Sequence, residues 1–105
     1  MIELNRVNAL NDYLAVMMVP FTSSGVIVDT AVAEKYSNEG IVVGIGPKVT
    51  DQVKLGDKVL IRQNKYMMLA PEHGNYTGKT IAMVHEGDLV LKKNFAEGEE
   101  RYNIT

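Results

Sequence analysis

Apolar residues in this sequence arrive in blocks too short for helices, separated by residues that turn the chain. The blocks are Tyr13–Val19, Gly40–Ile45, Lys58–Ile61, Tyr66–Leu69, Thr80–Val84 and Leu89–Leu91, each rich in Val, Ile, Leu or Met. Between them stand Gly46-Pro47, Leu55-Gly56-Asp57, Gln63-Asn64-Lys65, Gly74-Asn75 and Glu86-Gly87-Asp88. β-Branched residues fit a pleated, half-buried surface, whereas Gly, Asn and Asp favour chain reversal. Short strands spaced by turns predict an all-β domain, a small barrel or sandwich. Closing the sheet would hide edges that a chain of 105 residues has little else to cover. That length predicts a single domain over 1–105.

The competing helix lies over Glu3–Leu14, where Val7, Leu10 and Leu14 share a helical face. Asn5, Asn8 and Asn11 weigh against it, because Asn side chains bond nearby backbone in turns instead. The segment reads as an extended N-terminal arm leading into a strand from Asp12. Two phrases echo one another, Leu55-Gly56-Asp57-Lys58-Val59-Leu60-Ile61 and Glu86-Gly87-Asp88-Leu89-Val90-Leu91. Both read as one corner used twice, with Gly supplying a positive φ and Asp bonding a nearby amide.

Composition narrows the function. Lys and Arg total 11 against 13 Asp and Glu, a formal net charge of −2. Without an excess of cations to neutralise phosphates, nucleic acid is not expected as a partner. The absence of cysteine excludes disulfides, thiolate zinc sites and thiol nucleophiles. The longest apolar run, Leu14–Pro20, is too short to span a bilayer, and no signal-peptide pattern opens the sequence. The expectation is a soluble, cytoplasmic protein with no membrane partner.

No constellation of residues supports catalysis. His73 and His85 are the only histidines, and His85-Glu86-Gly87-Asp88 lacks recognised metal spacing, so these read as turn residues and no metal is expected. Ser23-Ser24 has no nearby base and no nucleophile-elbow context. Gly40–Gly46 contains Gly-x-x-x-Gly-x-Gly, but no phosphate-loop Lys-Ser/Thr follows, and Pro47 removes an amide donor. The expectation is no enzymatic activity and no cofactor. Met17-Met18 and Tyr66-Met67-Met68 read first as core filler.

From Pro20 to Glu39 the character changes. A breaker cluster, Pro20–Gly25, precedes Val26-Ile27-Val28, and a polar-to-small stretch runs from Asp29 to Asn38. A connection of roughly twenty residues is well beyond the usual loop length in a compact domain. Val26-Ile27-Val28 reads either as a short extra strand or as a hydrophobic anchor on a mobile loop, docking extended into another protein's apolar groove.

In order along the chain, Ala9–Val16, Gly25-Val26-Ile27-Val28, Glu39–Gly46, Val53–Ile61 and Ile81–Leu91 resemble the successive phrases of the GroES-type co-chaperonins. The likeness runs over roughly Ala9 to Lys92. It implies a GroES-like β-barrel with a long mobile loop at about 20–38. It also implies a homo-oligomer, a heptameric ring that caps an ATP-bound GroEL-type chaperonin and encloses an unfolded protein client. The ATP then belongs to the chaperonin and not to this chain. By position, Gly25, Val26, Ile27 and Val28 would bind the partner. Ile2 and Leu4 of one subunit would pair with Leu89, Val90 and Leu91 of its neighbour, and Tyr66 would face the cavity. The alternation Ile2-Glu3-Leu4 suits a half-buried edge strand, and would equally suit pairing within one subunit.

The departures carry information too. Only Pro47–Gln52 separate Gly46 from Val53, where typical members have a longer hairpin that roofs the lid. A short roof is similar to that of co-chaperonins encoded by bacteriophages, which makes a phage capsid protein a candidate client. Ala70–Lys79 is longer than the usual turn. A C-terminal tail, about 94–105, has no counterpart in compact members, and Glu97, Glu99 and Glu100 predict that it is solvated. The competing reading is a lipoyl- or biotinyl-type carrier domain modified on Lys58. Carriers, however, present that lysine at a hairpin tip, whereas Lys58 enters a strand.

Overall fold

Residues 1–19, 38–62, 64–69, 76 and 79–105 are described by the structure, a computed structural model. The strands are Ile2–Leu4 (β1), Tyr13–Val19 (β2), Asn38–Ile45 (β3), Lys58–Ile61 (β4), Met67–Leu69 (β5), Ile81–His85 (β6), Leu89–Lys93 (β7) and Tyr102–Ile104 (β8). Each of the six apolar blocks became a strand, so the all-β reading holds. The segment before Tyr13 is an arm rather than a helix, with β1 as its one regular element.

β2 sits near the middle of a six-stranded antiparallel sheet in the order β5-β6-β2-β3-β4-β7. Among the described residues β5 and β7 are its two ends, so the sheet is barrel-like in content without hydrogen bonds that close it. Alternate residues of a strand point to opposite faces. Leu14 and Val16 therefore share one face with Val42, Val59, Ile61, Ala82 and Val84, and Val53 folds in from the β3–β4 connection. Ala15 and Met17 share the other with Ile41, Val43 and Ile81. Burial of both faces is why these strands read as continuous apolar runs rather than alternating ones.

The Met17 face is covered by the chain's two ends. β1 and β8 pair in parallel, Ile2 opposite Tyr102 and Leu4 opposite Ile104. The Ile2 amide donates to the Arg101 carbonyl, and the Thr105 amide to that of Leu4, both at 2.9 Å. Leu4 and Ile104 are buried in the Met17 face, with Phe95 and Tyr102 packed against it. This corrects the expectation of a solvated tail at 94–105. The glutamates made the tail look polar, but Phe95, Tyr102 and Ile104 supply the apolar cover that this face lacks.

Close approach and turn geometry explain two of the glycines. The arm crosses β3 where the Val7 amide donates to the Val43 carbonyl at 2.9 Å. A Cβ at Gly44 would stand 2.0 Å from the Val7 carbonyl oxygen, so only glycine admits the crossing. Gly56 adopts φ +89°, and Asp57 Oδ2 accepts the Lys54 amide at 2.8 Å, the corner expected there. Glu86-Gly87-Asp88 is solved differently. It forms a 3₁₀ turn in which His85 Nδ1 accepts the Gly87 amide at 3.0 Å, and Gly87 is not among the positive-φ glycines. The expected repetition of one corner is thus corrected: an imidazole upstream does what Asp57 does downstream.

Ile104→Ala should lower the unfolding free energy in urea by about 2–5 kcal/mol, the usual cost of truncating a buried aliphatic side chain. A solvated tail would give a change within about 0.5 kcal/mol.

Candidate functional site

β2 and β3 are hydrogen-bonded neighbours whose last pair is Val19 opposite Glu39. Both ends of segment 20–37 are therefore held side by side at one end of the sheet. Glu39 lies on the Met17 face with no measurable exposure, an expensive place for a carboxylate unless it is paired. Two cations meet it. Lys58 Nζ lies 3.2 Å from Oε1, and Lys93 Nζ lies 2.8 Å from Oε2. Lys58 and Lys93 stand directly opposite each other on β4 and β7. Like charges in that position repel, so the carboxylate between them is what makes the pairing tolerable.

The fourth member comes from the tail. Lys58 Nζ also donates to Glu99 Oε2, while the Ala96 amide donates to Glu99 Oε1 at 3.0 Å. Two cations approach Phe95, with Lys58 Nζ 5.3 Å and the Arg101 guanidinium 5.1 Å from its ring centroid. Burial opposes the charge on Lys58, but hydrogen bonds to Glu99 and Glu39 and the charges of both outweigh it, so its pKa is raised. Glu99 is held below the ordinary carboxylate range, first by the Lys58 hydrogen bond and then by the Ala96 amide. Lys58 thus bridges the stem of segment 20–37 to the C-terminal tail.

A second polar cluster ties three connections together on the surface. The Thr50 hydroxyl and amide donate to Glu86 Oε2 at 2.6 and 2.7 Å, which lowers the Glu86 pKa. His85 Nε2 lies 2.6 Å from Asp12 Oδ2, and the Tyr13 and His85 rings meet edge to face. These contacts pin the short β3–β4 connection and the N-terminal arm to the turn before β7. Among the described residues no group of three or more His, Asp or Glu could hold a metal ion. No helix among them is long and apolar enough to cross a membrane.

The expected site residues fall in different places. Gly25, Val26, Ile27 and Val28 lie outside the described residues, as does His73. Ile2 and Leu4 are on β1, paired with this chain's own β8, and Leu4 is buried. Leu89 is half-buried against the Val16 face, while Val90 and Leu91 are 36% and 46% exposed on β7, an end strand of the sheet. Within one chain β1 and β7 belong to different sheets, so the two expected interface segments are not hydrogen-bonded neighbours. A groove beside β7 is lined by Gln52, Val53, Val59, Leu89, Val90 and Leu91. Tyr66 is half-buried against the Val16 face, next to exposed Met67 and Met68 on β5. Lys58, the residue a carrier would modify, is 5% exposed and begins a strand, leaving that reading without an accessible amine.

Sequence reasoning missed Glu39, Lys93, Phe95 and Glu99 as a unit. The available signal was a charge abutting an apolar block, as at Glu39 before Gly40–Ile45 and Lys58 before Val59–Ile61. Their opposite signs, on segments that both read as strands, were the clue. In comparison with known proteins, no protein-family model and no curated protein matches this chain.

Glu39→Ala removes the carboxylate that two buried ammonium groups share and should cost about 3–5 kcal/mol in urea unfolding, the range for breaking a buried ion pair from one side. The ion pairs also set a pH dependence. A carboxyl group whose pKa is lower folded than unfolded stabilises fully above its unfolded value, and that stability drains away as pH falls through the folded value. The urea midpoint should therefore decline as pH drops below about 4.5, the ordinary value for Glu99. Glu99→Gln should flatten that decline. Lys58 acts in the opposite sense: its contribution is complete below 10.5 and is lost as pH rises through its raised folded value.

Proposed function

We propose that this chain is a subunit of a GroES-type co-chaperonin, a ring-forming lid that docks on an ATP-bound GroEL-type chaperonin and encloses an unfolded client. The observation that carries the reading is the layout around segment 20–37. Two adjacent strands of an all-β sheet hold its ends together at Val19 and Glu39, and the segment contains Gly25-Val26-Ile27-Val28 within polar surroundings. The ordered resemblance from Ala9 to Lys92 supports the same conclusion.

The energetics favour such a design. Burying three aliphatic side chains contributes about 5–8 kcal/mol gross. Fixing each loop residue costs about 1–2 kcal/mol, so ordering four or five residues cancels most of the gain. One loop binds weakly, whereas a ring presents the remaining loops at high effective concentration once the first has docked. Weak loops on a rigid frame hold firmly together and release when the chaperonin's grooves change. Ser23, Ser24, Gly25 and Thr30 flank the anchor with residues that keep it polar and flexible in composition. The exposed Val90–Leu91 edge of β7 and its groove suit a contact with a neighbouring subunit, and Tyr66 with Met67 and Met68 suits a client-facing wall. A bacteriophage origin, with a capsid protein as client, follows from the short β3–β4 connection by resemblance.

Native mass spectrometry tests this directly. The protein should form a ring of about seven copies and add to a GroEL-type chaperonin only with ATP. Ile27→Ser should leave the ring intact and abolish chaperonin binding. Undiminished binding by that variant would remove the anchor assignment, and a monomer indifferent to the chaperonin would remove the co-chaperonin reading.

A further inference from the structure

We infer that Lys58 is a clasp through which the stem of segment 20–37 and the C-terminal strap of β8 on β1 are energetically coupled. The coupling is a property of the free chain; its bearing on chaperonin docking rests on the function proposed above.

Three observations bring stem and strap to one amine. Lys58 Nζ contacts Glu39, at the stem, and Glu99, on the tail. A cavity beside it is lined by Val19, Glu39 and Ile41 from the stem strands and by Phe95, Glu99 and Tyr102 from the tail, so the two segments face each other across open space. A second cavity that Lys58 also lines is bounded by Phe95, Arg101 and Tyr102 of the tail and by Gly56 and Lys92. The tail segment leading into β8 borders both cavities. Beside the packing of Phe95 and Tyr102, it is fastened by the Lys58–Glu99 bond and by the Lys58 and Arg101 contacts to the Phe95 ring. A segment attached that way responds to the loss of a single contact.

Glu39 is buried and ion-paired to Lys58 at 3.2 Å, and the same ammonium group holds Glu99. One charge thus serves both the stem and the tail, and a shift of that amine at one alters the other. Coupling of this kind is reciprocal: whatever factor stem ordering contributes to strap pairing, strap pairing contributes to stem ordering. Since β8 carries β1, the clasp extends from segment 20–37 to the N-terminal strand.

Amide hydrogen exchange on the full-length protein, followed by NMR, tests the coupling without any partner. In Glu99→Gln, exchange should accelerate about tenfold both at Tyr102–Ile104 and at the stem residues Val19, Gly40 and Ile41, a factor within the usual range for coupled sites. Glu97→Gln, the same change of charge on an exposed residue of the same loop, should move neither set. Acceleration confined to 102–104, or none, would overturn the clasp. In the second arm, a GroEL-type chaperonin and ATP are added to the unmodified protein and exchange is read by mass spectrometry. Protection at 102–104 should rise on docking, and docking without that rise would overturn the reciprocal half. Absence of docking would count against the co-chaperonin reading alone, leaving the clasp to be judged by the first arm.

Discussion

A sheet that is apolar on both faces has to be covered twice, and a chain this short has little left over for the second cover. That constraint organises the molecule. The Val16 face fills with residues of the sheet itself and with Val53 from one connection. The Met17 face is covered by the two chain ends, which reach opposite sides of the sequence and meet as β1 and β8. Without that ribbon, Met17, Ile41, Val43 and Ile81 would lose their cover, an exposed patch of the kind that drives association. The parallel pairing of the termini is consequently a packing requirement, and the tail beyond Lys92 is part of the domain.

The charge cluster follows from the same constraint. Where the Met17 face runs out toward segment 20–37, apolar cover gives way to Glu39, Lys58, Lys93 and Glu99. Well-packed apolar residues could replace such a network at no net loss of stability, so its presence is poorly explained by stability alone. What ion pairs add is specificity of arrangement. Glu39 stands between Lys58 and Lys93 and eases their opposition, which helps pin β3, β4 and β7 in one register at the end of the sheet from which segment 20–37 departs.

The sheet was legible because its strands advertise themselves. The apolar blocks Tyr13–Val19 and Lys58–Ile61 coincide with β2 and β4, although the strand expected from Asp12 starts one residue later, and no polar position interrupts either run beyond Lys58. β3 begins at Asn38 and β7 continues to Lys93, two residues further than the apolar blocks in each case. Those extra residues include Glu39 and Lys93, which form an ion pair with each other, with Lys58 as the second cation on Glu39. A local pattern registers them as ends of strands because the partner that makes them acceptable is far away in sequence. β8 was missed for the same reason. Three residues after a run of glutamates carry no strand signal until Ile2 and Leu4 are known to lie beside them. Gly87 shows the converse failure, as a phrase identical in type to Gly56-Asp57 folded otherwise once His85 could accept its amide.

Docking through a short aliphatic motif works only if the ordering cost falls on the motif and not on the frame that presents it. A loop whose two ends wander must have both fixed when it binds, at roughly 1–2 kcal/mol per residue. Here the ends are already fixed. Val19 and Glu39 are paired across adjacent strands, and Glu39 is fastened by two lysines drawn from β4 and β7. The order of the sheet accordingly sets the work left to the loop. On the proposed function, residues outside the docking motif then govern how tightly a partner is held, and Lys58 is among them because it bonds both the stem and the tail.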